Sequence, residues 1–377
     1  MKKLTSTLIF FWFSMGIVLS QPLIVNHSNT QISEIPQSAI EAAKSALHIA
    51  YGHTSHGSQL TEGMDGLVGF MNANGYPVDL YAWSNGGSGG TLDLHDYAMG
   101  GDVGYYPEWV NNTRNYLGIP NPINGRGSGA NADVIVIIWS WCGQIEEKFV
   151  SGTLFSEYLN PMAELESDYF GIKFVYMTGH LDHWDDANNK AANQAIRDYC
   201  QANNKVLYDF ADIESYDPDD TYFQYSSDDC SYYNSSGTLL GNWATEWQDT
   251  HIEGVDWYQC GAAHTYPLNS NQKAYAAWWL WAALAGWDQN LSSTPSNLQE
   301  DISIFPNPCK DWLSIKSLKG KPIQSVNLKN PLGQTVICDR RKSVLAVELS
   351  LKELPEGIYF LSFMIENQTV TQKIILK

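Results

Sequence analysis

The stretch Ala132-Asp-Val-Ile-Val-Ile-Ile-Trp139 constrains the fold most. A continuous β-branched run without polar alternation suits a strand covered on both faces, as in a parallel sheet with helices above and below it. Helix-period and apolar segments alternate around it. Ser38–Ala46 predicts a helix, Leu47-His-Ile-Ala-Tyr51 a strand, residues 59–74 a helix and Val78-Asp-Leu-Tyr-Ala-Trp83 a second strand. Further on, helices are expected over 157–169 and 187–203, strands at Lys173-Phe-Val-Tyr-Met177 and Lys205-Val-Leu-Tyr-Asp-Phe210, and a closing helix over 271–284. This alternation predicts an α/β fold, a three-layer sandwich with a parallel sheet. Ligands of such sheets bind at the carboxyl ends of the strands, so the post-strand loops hold the candidate chemistry.

Both ends of the chain differ from this pattern. Lys2 and Lys3, the apolar Leu8-Ile-Phe-Phe-Trp-Phe13 and the close at Ser20 read as a signal peptide over 1–20, too short in its apolar run to span a bilayer. The mature chain is therefore expected to carry no membrane span. Residues 21–290 form the α/β region, and 291–299, with Ser292-Ser-Thr-Pro-Ser-Asn297, read as a linker. From 300 to 377 short alternating runs separated by Pro331-Leu-Gly333 and Pro355-Glu-Gly357 predict a small Ig-like β-sandwich.

Ile304-Phe-Pro-Asn-Pro308, Trp312-Leu-Ser-Ile315 and Leu354-Pro-Glu-Gly-Ile-Tyr-Phe-Leu361 resemble, in order and spacing, the C-terminal sorting domain of the Bacteroidetes type IX secretion system. The resemblance implies handling by that secretion machinery and a destination outside the cell or on its outer surface.

Charge narrows the partners. Residues 21–296 carry nine Lys and Arg against 33 Asp and Glu, whereas 297–377 carry 11 against eight. So negative an α/β region repels nucleic acid and anionic surfaces. A neutral polysaccharide or acylated glycan fits better, and the wealth of Trp and Tyr offers stacking faces for one.

Four post-strand loops and one late loop concentrate reactive side chains. Gly52-His-Thr-Ser-His-Gly-Ser58 puts hydroxyls and imidazoles where a helix begins, so that Ser55 or Ser58 is a candidate nucleophile, and Ser58 also a candidate helix cap. His53, His56 and Gly57 line the same turn. Asn85-Gly-Gly-Ser-Gly-Gly90, with Gly87 and Gly89, offers bare backbone N–H groups, Ser140-Trp-Cys-Gly-Gln144 an amide, and Thr178-Gly-His-Leu-Asp-His183 two imidazoles. His264, just before the last helix, is placed to act as a base.

This order resembles the SGNH/GDSL hydrolases over residues 38–287. The resemblance implies Ser55 as nucleophile, His264 as base, a glycine of 86–90 and Gln144 as oxyanion donors, and no cofactor. Gly261 stands where the family carries its acid, which leaves Asp256 as the candidate partner of His264. The reading that follows is an exported SGNH-like serine esterase removing acyl groups from a glycan. Alternatives are a metal-dependent hydrolase using His53, His56, His180, His183 and His264 with Asp182, Asp185 and Asp186, a polysaccharide lyase or glycosidase, and a non-catalytic glycan binder. Cys230 and Cys260 are the expected disulfide, with Cys200 as a competing partner, and Cys142 is expected to be a free thiol.

Overall fold

The computed structural model describes residues 22–288 and 302–377, apart from Lys319, 331–334, 340–343, Glu353 and 366–367. The expected signal peptide and linker lie outside the described residues. In chain order the α/β region contains β1 (Leu23–Val25), α1 (Gln37–Ala46), β2 (His48–Gly52), α2 (Ser58–Ala73), β3 (Trp83–Ser84), β4 (Leu92–Met99), α3 (Glu108–Leu117) and β5 (Val136–Trp139). There follow α4 (Ile145–Val150), a π turn at Phe155–Leu159, α5 (Asn160–Asp168), β6 (Lys173–Met177), α6 (Asp186–Ala202), β7 (Val206–Tyr208) and α7 (Phe210–Ile213). The hairpin β8 (Ser231–Tyr233) and β9 (Leu239–Asn242), then α8 (Trp243–Thr250) and α9 (Pro267–Leu284), complete it.

Seven strands form one parallel sheet in the order β1-β7-β6-β5-β2-β4-β3. The β-branched run lies at its centre as expected, and Val136, Ile137, Ile138 and Trp139 are all buried. Alternation then sorts its two faces. Ala50, Ile137, Trp139, Phe174, Tyr176 and Leu207 pack with side chains of α3, α5 and α6 into one core. On the other face the Tyr208 hydroxyl donates to the Lys273 carbonyl of α9, 2.7 Å away. Two covered faces make the three layers, and each fully buried large side chain contributes about 1.5–3 kcal/mol.

The second strand differs from expectation. Only Trp83–Ser84 of the region around Val78–Trp83 is extended, and the neighbour of β2 is instead β4, whose sequence Leu92-Asp-Leu-His-Asp-Tyr-Ala-Met99 hides its apolar face behind Asp and His. The loop that follows the second long strand is therefore Gly100–Gly104, and not Asn85–Gly90.

The expected disulfide is not formed. Cys230 and Cys260 are free thiols. Cys230 is packed among Trp243, Trp257 and Leu268 with its Sγ 3.2 Å from Thr265 Oγ1. Cys260 lies against Gly66 of α2, and its sulfur accepts the Asn271 amide N–H at 3.3 Å. The two side chains thus look into different surroundings.

The C-terminal body is all-β: β10 (Ile302–Phe305), β11 (Trp312–Ser317), β12 (Ile323–Lys329), β13 (Thr335–Asp339), β14 (Ala346–Ser350), β15 (Gly357–Ile365) and β16 (Gln368–Leu376). They form antiparallel sheets β10-β11-β14 and β13-β12-β15-β16 around Leu313, Ile315, Leu328, Val347, Leu361, Phe363 and Ile374. That is the expected sandwich. No helix among the described residues is long and apolar enough to cross a membrane.

A buried tyrosine pins the last residue of β6. The Tyr158 hydroxyl, in the π turn, accepts the Met177 N–H at 2.9 Å and donates to the Met177 carbonyl at 3.1 Å. Tyr158→Phe strands the Met177 N–H, while the carbonyl keeps the Trp141 Nε1–H at 3.2 Å, and is expected to lower unfolding free energy by about 1–3 kcal/mol, read as a lower urea midpoint at unchanged slope.

Candidate active site

The carboxyl ends of β2, β5 and β6 meet at one cysteine. Cys142 follows β5 by three residues, and its sulfur faces the turn after β2. His56 Nδ1 lies 3.2 Å from Cys142 Sγ, and Ser55 Oγ lies 3.5 Å from it. On its far side His56 Nε2 donates to Asp228 Oδ2 at 3.1 Å. Thiol, imidazole and carboxylate thus form one chain of hydrogen bonds, and Asp228 comes from the long acidic segment after α7.

The electrostatics follow from these contacts. The His56 hydrogen bond, acting against burial and helped by the Ser55 and Thr54 hydroxyls and the His56 backbone N–H, lowers the Cys142 thiol to about 6. Burial opposes charge on His56, yet hydrogen bonds to Asp228 and Cys142 raise it to about 9. Burial likewise opposes charge on Asp228, but the bonds from His56 and Ser227 hold it at about 2. Between pH 6 and 9 the pair is a thiolate beside an imidazolium, the state in which a cysteine is a nucleophile. Sharing one proton, the two groups titrate as a unit.

Two further imidazoles sandwich His56. The His180 ring stacks on one side at 3.9 Å between centroids and 8° between planes, and His264 at 4.2 Å and 14°. Aromatic faces flanking a cationic ring stabilise its charge and fix its plane. His180 is itself oriented: Nδ1 donates to the Leu181 carbonyl at 2.8 Å, and Nε2 accepts the Gly143 N–H at 3.1 Å. His264 is held with φ at +65°, sparsely populated for a residue with a Cβ.

A buried ion pair supports both flanking loops. Lys273 Nζ of α9 bonds Glu214 Oε2 at 2.6 Å, and both side chains are fully buried. Lys273 also donates to Gln59 Oε1, whose own Nε2 donates to the Ala263 carbonyl beside His264. Glu214 accepts the Leu181 N–H beside His180. Burial lowers Lys273 below the ordinary lysine range even though the Glu214 charge works the other way.

The residues singled out in the sequence separate into two groups. His56, His180, His264 and Ser55 come together around Cys142. Ser55 and His264 share no hydrogen bond among the described residues, since the Ser55 hydroxyl faces the thiol. Asp256 accepts the Ile252 N–H at 2.9 Å and forms no hydrogen bond to His264. His53 is buried, with Nε2 on Asp96 at 2.7 Å and Nδ1 on the Thr54 carbonyl at 2.9 Å. Ser58 Oγ donates to the Ser55 carbonyl at 2.7 Å and so braces the turn. At Gly57 a Cβ would come within 2.3 Å of Ser140 Oγ and 2.4 Å of His53 Cβ, so the turn closes only around glycine.

Gly87 and Gly89 are not brought to this rim. Their loop lies at the other end of the sheet, where the Gly86 N–H donates to Asp93 Oδ1 at 2.8 Å and Asp93 pairs in register with His48, the first residue of β2. Gln144, with φ at +63°, adjoins Cys142, and its buried Oε1 has no partner. His183 stacks on Tyr233 at 3.5 Å, Asp182 accepts the Trp184 N–H, and Asp186 pairs with Lys190. The His/Asp cluster of the metal-dependent alternative therefore disperses. His56, His180 and Asp228 do offer ligand atoms within 4.8 Å of one another. Their rings lie face to face, however, so the in-plane lone pairs run side by side instead of converging, and both His180 nitrogens are engaged.

Asp228 and the thiol chemistry of Cys142 escaped sequence reasoning. The only signal for Cys142 was its place two residues before Gln144 in a post-strand loop.

Residues 303–377 match the family described as secretion system C-terminal sorting domain, so the C-terminal β body is a type IX sorting module and the protein is sorted for secretion. No curated protein matches the chain. Among solved structures, a proposed acylhydrolase from Bacteroides fragilis shares 10% identity, with 59% of this chain and 90% of that one covered at a TM-score of 0.29. An endo-β-1,4-mannanase from Thermotoga petrophila shares 13% identity over 65% of this chain and 47% of that one, at a TM-score of 0.16. A modular endo-β-1,4-mannanase from Cellulomonas fimi shares 10% over 76% and 54%, at 0.20. Overlaps this loose assign no chemistry to the chain.

Two measurements probe this arrangement. Alkylation of Cys142 by iodoacetamide, followed by peptide mapping, is expected to rise with a midpoint near pH 6, because thiolate forms as pH climbs through that value. His56→Ala should move the midpoint toward about 8.5, the value of a free thiol. Burial raises Cys230 and Cys260 to about 12 and keeps them unreactive at neutral pH. For the ion pair, Glu214→Leu alone is expected to cost about 3–5 kcal/mol in chemical denaturation, and Lys273→Met added to it to restore most of the loss.

Proposed function

We propose that this exported protein is a cysteine-dependent acyl hydrolase acting on carboxylic esters of a neutral glycan, with Cys142 as nucleophile. The observation that carries the reading is the hydrogen-bonded chain Cys142–His56–Asp228, poised as thiolate and imidazolium. The Cys142 thiolate attacks the ester carbonyl carbon and a C–S bond forms. As the C–O bond breaks, the His56 imidazolium gives its proton to the leaving alkoxide. His56, now neutral, takes a proton from water, the resulting hydroxide attacks the thioester, the C–S bond breaks, and the free acid leaves with the Cys142 thiolate and His56 imidazolium regenerated.

Asp228 keeps Nε2 of His56 protonated, so that Nδ1 is the working nitrogen. His180 and His264 hold the ring in plane, which gives His264 a positioning role in place of the base implied by the SGNH resemblance. Ser55 and Thr54 stabilise the thiolate, and the Gln144 amide supplies a donor for the oxyanion. The strongly acidic α/β region and the type IX sorting module favour a neutral substrate met outside the cell.

Activity on 4-nitrophenyl acetate and on acetylated polysaccharide tests the reading. Cys142→Ala is expected to lose at least roughly 10⁴-fold in kcat and Asp228→Asn about 10²–10⁴-fold, while Ser55→Ala keeps activity within about tenfold. Parent activity should follow a bell with limbs near pH 6 and 9. Full activity in Cys142→Ala together with none in Ser55→Ala would instead establish a serine enzyme.

A further inference from the structure

A second cluster of ligating side chains lies at the amino ends of the strands, at the opposite end of β2 from Cys142. His48 opens β2 and pairs in register with Asp93 of β4. The His48 carbonyl accepts the Ile135 N–H at 3.0 Å, which sets Asp133, two residues earlier, beside the same ring. His48 Nδ1 lies 2.7 Å from Asp93 Oδ2 and 3.7 Å from Asp133 Oδ2.

We propose that His48, Asp93 and Asp133 form a binding site for a divalent cation of the zinc class. Each offers one ligand atom, and all lie within 4.8 Å of one another. Ligands at about 2.0–2.2 Å around a tetrahedral ion stand roughly 3.3–3.6 Å apart, between the two separations found here. The donor set, one imidazole nitrogen and two carboxylate oxygens, suits zinc or manganese.

Charge argues the same way. Without an ion, a single proton on Nδ1 must serve two carboxylates, and a divalent cation in its place neutralises both. Among the described residues, the other groups at the cluster are the Gly86 N–H on Asp93 Oδ1 at 2.8 Å and His95 Nε2 on the same oxygen at 3.1 Å. These contacts form the outer shell that a ligating carboxylate needs. They occupy Oδ1 and leave Oδ2 aimed at His48. His95 is oriented in turn by the Tyr116 hydroxyl, 2.9 Å from its Nδ1. Asp93 is buried, His48 half-buried and Asp133 exposed, so the site has a rigid floor and an open rim through which an ion and its water ligands enter.

Bound there, the ion ties β2, β4 and the approach to β5 together. It acts as a clip on the central strands, away from the chemistry.

Zinc titration of the full chain, with Cys142 blocked by iodoacetamide so that its thiol does not compete, tests the site. The expected result is one equivalent bound by equilibrium dialysis, with Tm raised by roughly 5–10 °C at about a hundredfold excess over Kd. Asp133→Asn, a change at the exposed rim, and His48→Gln should each weaken binding at least tenfold and cut the Tm rise to about half or less. Their Tm in zinc-free buffer and the activity of the unblocked variants should match the parent. Absence of a bound equivalent in the parent, or binding in both variants equal to the parent's, overturns the proposal.

Discussion

The geometry of this protein hangs on a lysine and a glutamate that never meet water. Lys273 and Glu214 face each other in full burial, with the Lys273 ammonium 3.7 Å above the Phe210 ring. Such a pair contributes little net stability, because desolvation offsets most of the Coulombic attraction. What it supplies here is position. Through Gln59 it reaches the Ala263 carbonyl, and through Glu214 the Leu181 N–H, so one ion pair fixes the two loops that carry His264 and His180.

From those loops the constraint passes to His56. A ring stacked on both faces keeps one plane, and that plane sends Nδ1 to Cys142 and Nε2 to Asp228. The strained backbone at His264 belongs to the same device, since with this positive φ the exposed residue lays its ring on the His56 face. The thiolate is therefore a product of the packing around it. Cys200, fully buried and without an imidazole partner, is pushed above the ordinary thiol range by burial in the same protein interior.

Much of the fold was legible. Residues 132–139 announced a doubly covered central strand, and the alternation of helix and strand periods announced the parallel sheet and its three layers. The Phe-Pro-Asn-Pro opening at 305–308 announced the sorting module. What failed was β4, where Asp93, His95 and Asp96 interrupt the apolar pattern because they serve clusters at the two rims. That miss shifted the loop assignments and carried Gly87 and Gly89 to the wrong end of the sheet. The site was half legible for a similar reason. His56, His180 and His264 follow strands or precede a helix and could be found by position, whereas Asp228 arrives from a long irregular segment whose path no periodicity predicts.

A parallel sheet imposes one more consequence. All its strands begin at one rim and end at the other, so polar residues on a single short strand are forced to opposite ends of the molecule. On β2 the five residues His48–Gly52 separate the His48 cluster from the His53–His56 turn, and the strand between them is almost wholly apolar. Charge at one rim acts only weakly on the ionisation of Cys142 at the other, because five residues of strand at about 3.3 Å each exceed the screening length of roughly 8–10 Å, whereas stiffness carries across, because Gly52 and His48 belong to the same hydrogen-bonded register. A clamp on the amino rim therefore steadies the strand from which the His56 turn departs with little effect on the protons held there.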